Sequence, residues 1–314
     1  MDYNGLLEKI EKADTITIYR HENPDCDAVG SQWGLTNWIR ENWPDKNVYA
    51  LGFESCTQAV WPVSDEADAQ TIARSLAVVL DTANQARVDD QRFLNASFVI
   101  KVDHHPNREP FGDLMLVNDK AAAACEILAC FFASCKEQKV SRKTAEYLYQ
   151  GLLTDTLNFT TSNTTSDTLR AAAYLAGFGV NIPVLARRLF DRSLNGFRFS
   201  GYVRTHVQML GEHLAYEIIP IKDQEAGHMT ASKARSFIDE LGHVKEFEIW
   251  CIFTEKIQNG MTLYDGSLRS KTIRINDIAE KYSGGGHPNA SGVKNLNERT
   301  MHELLEDLLK KIDK

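Results

Sequence analysis

The chain lacks several features that define whole classes of protein. None of its apolar runs approaches the roughly 18 residues that a membrane-spanning helix needs. Its start, MDYNGLLEKIEKAD, predicts an acidic amphipathic helix and does not have the basic-then-apolar order of a signal peptide. There is no internal repeat and no low-complexity tract. We therefore expect a cytoplasmic protein, and the 314 residues suit two domains of roughly 100 to 200 residues each.

Cysteine is sparse, and no two cysteines form a CxxC pair, so a disulfide framework is not expected. Three of the six recur at every fifth position of an Ala-rich helix. Steps of five residues rotate by about 500°, so these thiols do not share one helix face. We interpret them as small core residues.

An excess of positive charge is also missing. The net charge is -8, from 35 basic and 43 acidic residues. Dividing the chain near residue 190 gives 18 basic and 25 acidic residues before that point, and 17 and 18 after it. Neither part has the positive surplus that long nucleic acid usually requires. The acidic surplus of the first part is consistent with carboxylates that are neutralised by metal ions.

The first part of the chain, 1–190, predicts alternating strands and helices. Continuous apolar runs of the kind found in buried parallel strands occur at TITIY, NVYALGF, LAVVLDT and SFVIKVDHH. Helices are predicted from about Ala28 to Asn42 and over AAAACEILACFFASCKE, SRKTAEYLYQGLLTDT and TSDTLRAAAYLAGF. Ser141 is a suitable N-cap for the third of these helices. This pattern predicts an α/β domain with a mostly parallel sheet.

The second part predicts a smaller α+β domain. Residues 191–211 are the expected connector, and residues 212–314 the second domain. Strands are expected at LAYEIIPI, FEIWCIFTEK and GMTLYDGSLRS, with helices over 230–241, 275–282 and 298–312.

Acidic and imidazole side chains follow three of the predicted parallel strands, where ligands of open parallel sheets bind. They are joined by Asp155, at the end of an apolar helix and expected to face inward. The set consists of His21, Asp25, Asp27, Asp81, Asp103, His104, His105 and Asp155. Each alone has an ordinary alternative, such as Asp27 capping the helix that follows it. Together, so many carboxylates would raise one another's pKa unless cations compensated them.

Metal ions are the simplest explanation of this cluster. Several carboxylates with two imidazoles form a hard, mixed oxygen and nitrogen donor set, which suits Mn²⁺, with Mg²⁺ or Co²⁺ as alternatives. Two ions about 3.5–4 Å apart can activate a water molecule and hold a phosphoryl oxygen. That arrangement hydrolyses phosphate esters.

The second domain contains a candidate phosphate site. Gly284, Gly285 and Gly286 precede His287, and successive glycines let several backbone N–H groups converge on an anion. Upstream, Arg269 and Ser270 end a predicted strand, and arginine can hold a phosphate with two parallel hydrogen bonds. The alternative for the glycines is a flexible loop.

These segments together resemble the DHH phosphoesterase family with its DHH-associated C-terminal domain. HENPDCDAVGS, LDT, DHH and LLTDT are similar to the four motifs of the first domain, and GGGHPNASG to the glycine motif of the second. The five motifs occur in the family's order and cover nearly the whole chain. The resemblance implies a catalytic domain and a substrate-binding domain with the active site in the cleft between them, and closure around 191–211.

The resemblance also implies a role for each site residue. His21 and Asp25 would bind one metal ion, and Asp27, His104 and Asp155 the other, with Asp81 bridging the two. Asp103 would orient a ligand histidine, and His105 would face the scissile phosphate and stabilise or protonate the leaving group. The remaining residues would bind the substrate's terminal phosphate and ribose: Arg269, Ser270, Gly284, Gly285, Gly286 and His287.

Size and layout are similar to the bacterial nano-RNases that also act on 3′-phosphoadenosine 5′-phosphate (pAp). The expected activity is hydrolysis of short oligoribonucleotides to mononucleotides and of pAp to AMP. Alternatives are a phosphodiesterase for linear or cyclic dinucleotides such as pApA, an exopolyphosphatase-like phosphatase, and a non-catalytic nucleotide-binding sensor. A family II pyrophosphatase is disfavoured, because its C-terminal half carries a basic motif instead of GGGH. The expected partners are short RNA or nucleotides, not long nucleic acid or a membrane, and a homodimer is compatible with the family.

Overall fold

The computed structural model describes residues 1–312 and divides into two compact units. Unit 1 spans Met1–Asp191, and unit 2 begins at Arg192. The segment 191–211, expected to be a connector, therefore falls almost entirely within unit 2. Its helix is anchored there, because Phe199 and Val203 are buried in an apolar cluster of that unit.

Unit 1 contains a five-stranded sheet in which all strands are parallel. Its strands are β1 (Thr15–Tyr19), β2 (Asn47–Ala50), β3 (Leu76–Leu80), β4 (Phe98–Asp103) and β5 (Leu114–Val117), in the order β2-β1-β3-β4-β5. The central strands β1 and β3 are buried throughout, as their unbroken apolar sequences require. The edge strand β5 was missed by the sequence analysis, because it is short and leaves Met115 exposed.

The helices of unit 1 pack on both faces of this sheet. They are α1 (Tyr3–Lys12), α2 (Cys26–Asn42), α3 (Ala69–Ala73), α4 (Ala124–Ser134), α5 (Arg142–Asp155), α6 (Ser166–Ala176) and α7 (Ile182–Phe190). Ser141 caps α5 as expected, since its hydroxyl accepts the N–H of Thr144. On α4, Cys125 is buried and Cys130 half-buried, while Cys135 caps the end of the helix. All six thiols are free.

Unit 2 contains a six-stranded mixed sheet. Its strands are β6 (Gln208–Leu210), β7 (Leu214–Ile219), β8 (Ile249–Gln258), β9 (Met261–Ser270), β10 (Gly285–His287) and β11 (Ala290–Leu296), in the order β10-β11-β9-β8-β7-β6. Only β7 and β8 run parallel among these pairs. The strands β10 and β11 were not predicted, because their small, glycine-rich sequence lacks an apolar pattern.

Helices cover both faces of the second sheet. They are α8 (Leu194–His206), α9 (Ile221–Ala226), α10 (Ala231–Arg235), α11 (Asn276–Lys281) and α12 (Glu298–Ile312). One apolar cluster joins α11 and α12 to Leu268 of β9. The other joins α8 and α10 to Ile252 of β8. The helix expected over 230–241 is α10 followed by a 3₁₀ turn, Ser236–Glu240.

The predicted fold class, a parallel α/β domain followed by a smaller α+β domain, is confirmed. Within residues 1–312, no helix is both long and apolar enough to cross a membrane.

Candidate active site

The predicted site residues of unit 1 lie at one edge of the parallel sheet. His21 follows β1, Asp81 follows β3, and Asp103 ends β4 directly before His104 and His105. Because β1, β3 and β4 are parallel neighbours, their carboxyl ends meet at this edge.

Asp25 caps the helix that follows the first strand. Its Oδ1 accepts the backbone N–H groups of Asp27 at 2.9 Å and Ala28 at 3.0 Å. Its Oδ2 lies 3.8 Å from Nε2 of His21. One oxygen thus stabilises the start of α2, and the other faces the site.

Asp27 caps a different helix from the one considered in the sequence analysis. It is fully buried, and its two carboxylate oxygens accept the N–H groups of Ala124 at 2.7 Å and Cys125 at 2.9 Å. These groups start α4, where Ala123 in the N-cap position has no side chain to accept them. The bonds hold the Asp27 carboxylate in one orientation toward His104, whose Nε2 is 3.9 Å away.

Asp81 lies at the centre of the cluster. Its Oδ2 is 3.4 Å from Nε2 of His21, and its Oδ1 is 3.2 Å from Nε2 of His104. The same nitrogen of His104 is 3.5 Å from Oδ2 of Asp155. Asp81 also has a φ of +50°, in the left-handed region that aspartate and asparagine tolerate better than other non-glycine residues. This backbone conformation places its carboxylate between His21 and His104.

Three sets of side chains have ligand atoms close enough to hold a metal ion. They are His21 with Asp25 and Asp81, Asp27 with His104 and Asp155, and Asp81 with His104 and His105. In an octahedral site with bonds of about 2.1 Å, adjacent ligand atoms are about 3 Å apart. The oxygen–nitrogen distances around Asp81 are close to that separation.

The electrostatics of the cluster also favour cations. Burial and the charge of Asp81 raise the pKa of Asp27 to about 7. Burial would lower the pKa of His21, but the Asp81 carboxylate outweighs it and raises that pKa to about 9. Burial would likewise raise the pKa of Asp81, but the hydrogen bonds and charges of His104 and His21 hold it below its usual range. Without metal, the histidine protons act as counter-ions, and divalent cations can take their place. The residues present therefore fit divalent metal ions.

Asp103 contacts His105 directly. Its Oδ1 is 2.8 Å from Nδ1 of His105, and its Oδ2 is 3.1 Å from Nζ of Lys101. Lys101 is fully buried inside β4 and donates to the carbonyl of Ala83. The histidine that Asp103 orients is thus His105, the one assigned to the phosphate, whereas the resemblance implied a metal-ligand histidine. Sequence reasoning missed Lys101, although a lysine within an apolar strand was the available signal.

Two glycines allow α2 and α5 to approach closely beneath the site. A Cβ on Gly30 would lie 2.6 Å from the carbonyl oxygen of Tyr147. A Cβ on Gly151 would lie 2.5 Å from Sγ of Cys125 and 2.8 Å from Cα of Asp27. The close crossing brings Asp27 toward Asp155, which ends α5. Gly151 was also missed by sequence reasoning.

In unit 2, neighbouring strands bring the predicted phosphate-binding residues together. Arg269 of β9 pairs with Ala290 of β11, which pairs in turn with His287 of β10. Gly286 has a φ of +141°, and a Cβ on Gly284 would lie 2.2 Å from the carbonyl oxygen of Gly292. These two glycines are therefore required by the backbone itself.

Ser270 has a structural role within the same region. Its hydroxyl donates to the carbonyl of Ile273 and accepts from Nδ2 of Asn289 at 2.9 Å. These bonds hold the segment after β9 in place.

Comparison with known proteins decides the family. The model of the DHH family, N-terminal domain, matches residues 15–152, and that of the DHHA1 domain matches residues 211–314. The chain belongs to the DHH phosphoesterase family. The bifunctional oligoribonuclease and PAP phosphatase NrnA of Bacillus subtilis (strain 168) is 36% identical over 306 residues, covering 96% of each chain. The family assignment made from the five motifs is confirmed.

Two further relatives support this assignment. The probable bifunctional oligoribonuclease and PAP phosphatase NrnA of Streptococcus mutans is 34% identical over 311 residues, covering 98% of this chain and 99% of its own. A solved structure of an exopolyphosphatase-related protein from Bacteroides fragilis has a TM-score of 0.86 at 22% identity, covering 99% of this chain and 97% of that one. This structural similarity shows that the two proteins share a fold. DHH phosphoesterases use divalent metal ions, which agrees with the donor set of unit 1.

Proposed function

We propose that this DHH phosphoesterase hydrolyses short oligoribonucleotides to mononucleotides and pAp to AMP, using two Mn²⁺ ions. The observation that carries the proposal is the position of Asp81, whose two oxygens face two different sets of ligand atoms. The nearly full-length similarity to proteins named oligoribonuclease and PAP phosphatase supports the choice of substrates.

The metal-binding roles follow two of these sets. His21 and Asp25 would hold one ion together with Asp81, and Asp27, His104 and Asp155 would hold the other. Asp81 would be shared between the two ions, since its Oδ1 is also 3.2 Å from Nε2 of His104. When bound, the ions would supply an activated water molecule and neutralise charge on the phosphoryl oxygens. A hard donor set with imidazole nitrogens favours Mn²⁺ over Mg²⁺.

His105 would act on the phosphate. The contact with Asp103 occupies its Nδ1, so Nε2 is the atom left to face a substrate. With Nδ1 held by Asp103, a proton on Nε2 would be donated to a phosphate or leaving-group oxygen. Lys101 compensates the charge of Asp103 on its other side, which fixes the carboxylate.

The other end of the substrate would bind in unit 2. Arg269, the backbone of Gly284 to Gly286 and His287 would hold the terminal phosphate and ribose. Burial lowers the pKa of the Arg269 guanidinium, because the charged group is partly removed from water. A bound phosphate would offset that loss of solvation.

The test is a substrate panel with the purified protein in Mn²⁺ and in Mg²⁺. We expect AMP from pAp and mononucleotides from a labelled di- or trinucleotide, with higher activity in Mn²⁺. Linear pApA, cyclic dinucleotides and polyphosphate in the same panel rank the alternative substrates. Wild-type protein that cleaves neither pAp nor the oligonucleotides would overturn the proposal.

Asp81→Asn is the matched inactive variant, because asparagine tolerates the left-handed backbone and preserves the shape of the side chain. Loss of the shared charge is expected to reduce turnover by about a thousandfold or more. An Asp81→Asn protein that keeps most of its activity would show that this carboxylate is not shared between the two ions.

A further inference from the structure

Two cysteine thiols interact next to the metal-ligand cluster, and neither takes part in the proposed hydrolysis. Cys26 is the first residue of α2, and Cys56 lies in the irregular segment 51–68, which joins β2 to α3. Both belong to one apolar cluster of unit 1. The S–H of Cys26 donates to Oε1 of Gln58 at 3.3 Å and also interacts with the sulfur of Cys56. Two thiols placed in this way can become linked by a disulfide bond.

The surroundings of Cys56 favour its thiolate form. Besides the Cys26 thiol, the backbone N–H of Gln58 and the indole N–H of Trp61 interact with its sulfur. These interactions, of which that with Cys26 is the strongest, outweigh burial and hold the pKa of the Cys56 thiol below its usual range. Because the thiolate is the nucleophile, Cys56 is the reactive member of the pair. Burial instead raises the pKa of four other thiols, those of Cys125, Cys130, Cys135 and Cys251.

A cavity gives small oxidants access to Cys56. It has a volume of about 230 Å³, and its lining includes Cys56, Trp61 and Val60. Val60 is 88% exposed, so the cavity reaches the protein surface. Since a water molecule occupies about 30 Å³, hydrogen peroxide fits inside. Cys56 is 9% exposed and Cys26 is fully buried, so peroxide meets Cys56 first and Cys26 lies behind it as the second thiol.

A disulfide between these thiols would form beside two candidate metal ligands. Asp25 is the N-cap of α2, Cys26 its first residue and Asp27 its second. The S–S bond is about 2.05 Å long, much shorter than the separation of two sulfur atoms that are not bonded. At least one of the two cysteines must therefore move. A shift of Cys26 moves the backbone of both aspartates.

The segment that carries Cys56 is also tied to the metal ligands. Glu54, two residues before Cys56, accepts the backbone N–H of Asn23 through its Oε2. Asn23 lies between the candidate ligands His21 and Asp25. A shift of Cys56 therefore pulls on the segment that holds these ligands. Whichever cysteine moves, formation of the disulfide changes the geometry of the metal site.

We propose that Cys26 and Cys56 form a reversible disulfide in the presence of peroxide, and that this bond weakens metal binding at the start of α2. In the first step, the Cys56 thiolate attacks one peroxide oxygen, the O–O bond breaks, and the second oxygen leaves as hydroxide and takes up a proton. In the second step, the sulfur of Cys26 attacks the sulfenic acid of Cys56, and the S–S bond forms as water leaves with the thiol proton. The two thiols lose two electrons, and one peroxide is reduced to two molecules of water.

The test treats the full-length, Mn²⁺-loaded protein with hydrogen peroxide and maps its cysteines by mass spectrometry. We expect a cross-link between the tryptic peptides 21–40 and 47–74, each of which contains one cysteine. The dissociation constant of Mn²⁺, measured by titration, should rise about tenfold or more, as it does when groups that support metal ligands are disturbed. Hydrolysis of pAp should fall in parallel, and dithiothreitol should restore both properties.

Three variants separate the roles of the thiols. Cys56→Ser removes the reactive thiol with little change in shape, and it should keep the wild-type melting temperature, Mn²⁺ affinity and hydrolysis while losing the response to peroxide. In Cys26→Ser the sulfenic acid has no second thiol to react with, so dimedone should trap it at Cys56. Cys130→Ser is the matched control, because this half-buried thiol lies on α4, and it should respond to peroxide as the wild type does.

The proposal is overturned if peroxide weakens Mn²⁺ binding in Cys56→Ser as much as in the wild type. Wild-type protein in which Cys56 stops at the sulfenic acid, or links to a cysteine other than Cys26, would overturn it as well. A disulfide that forms without a change in Mn²⁺ affinity would contradict the coupling to the metal ligands. Because the cross-link and Mn²⁺ affinity are measured without a substrate, a failure to hydrolyse pAp would overturn the proposed function and leave this inference standing.

Discussion

His104 and His105 are adjacent in the chain, yet their side chains have different surroundings. The Nε2 of His104 faces carboxylates of Asp27, Asp81 and Asp155 at 3.2 to 3.9 Å. His105 is held through Nδ1 by Asp103 alone at hydrogen-bonding distance, with Asp81 at 3.6 Å. The first environment is that of a metal ligand, and the second that of an oriented acid or hydrogen-bond donor.

This difference predicts separable effects of the two substitutions. His104→Ala should lower the bound Mn²⁺ from two ions per chain to one, because it removes the nitrogen shared by three carboxylates. His105→Ala should keep both ions and lose turnover by about a hundredfold or more, as expected for a lost acid catalyst. Metal content by mass spectrometry after gel filtration, together with kcat for pAp, measures both effects. Loss of an ion in His105→Ala would instead make His105 a ligand, through its set with Asp81 and His104.

At the scale of residues, the sequence predicted which side chains lie close together, but not which of them contact one another. Acidic and imidazole residues after buried strands could be placed at one sheet edge from the parallel topology alone. The contact between Asp103 and His105 depends on side-chain rotamers. The bonds from Asp27 to the start of α4 join residues 97 and 98 positions apart in the chain. Neither could be read from local spacing.

At the scale of elements, the site depends on the crossing of α2 and α5. These helices carry Asp27 near the start of one and Asp155 at the end of the other. Gly30 and Gly151 remove the side chains that would hold the two backbones apart. The positions of two candidate metal ligands are therefore coupled to the packing of two helices.

Gly151→Ala is predicted to weaken metal binding, although Gly151 is not itself a candidate ligand. The added methyl group would lie 2.9 Å from Oδ1 of Asp27 and 2.5 Å from Sγ of Cys125, so the helices must separate. Overpacking of this kind typically costs about 1–3 kcal/mol of unfolding free energy. We also expect weaker Mn²⁺ binding, measured by titration, because Asp27 must move. Urea unfolding monitored by circular dichroism gives the stability.

Gly201→Ala is the matched control for that substitution. Gly201 lies within α8, and its Cβ would meet nothing within 4 Å. There the change should stabilise the protein by up to about 1 kcal/mol through helix propensity alone. If Gly151→Ala behaved like Gly201→Ala, the close crossing of α2 and α5 would not constrain the site.

Elements with a strong apolar pattern were predictable, whereas short or small-residue elements were not. The central strands β1, β3 and β4 and the helix α5 were expected within a few residues of their observed bounds. The edge strand β5 has four residues, and β10 has three, two of which are glycines. Both are edge strands, since β5 pairs with β4 alone and β10 with β11 alone, and a short edge strand needs no apolar pattern of its own.

For the whole molecule, the carboxylate cluster links metal binding to the stability of unit 1. Burial raises the pKa of Asp27 and Asp155, so the metal-free protein keeps acidic groups in an environment that disfavours their charge. A ligand that binds only the folded state stabilises it by about 2.7 kcal/mol at a hundred times its dissociation constant. The candidate ligands all lie between His21 and Asp155, within unit 1.

Removing and restoring the metal should therefore change amide hydrogen exchange in unit 1 and leave it unchanged in unit 2. We expect EDTA treatment to increase amide hydrogen exchange in peptides that contain residues 19–31, 79–84, 102–106 and 150–157, where the candidate ligands lie. Adding Mn²⁺ to two equivalents should restore protection there, because ligation suppresses local opening of the strand ends and of the α2–α5 crossing. Peptides from residues 211–312 should exchange equally with and without metal, since none of the ligands belongs to them. Pulse-labelling mass spectrometry of the full chain resolves these regions.

Asp81→Asn provides the internal comparison, as it should lose most of the Mn²⁺-dependent protection. A metal-dependent change centred on the peptides of 211–312 would mean that a metal site lies in unit 2 and that the assignment of both ions to unit 1 is wrong.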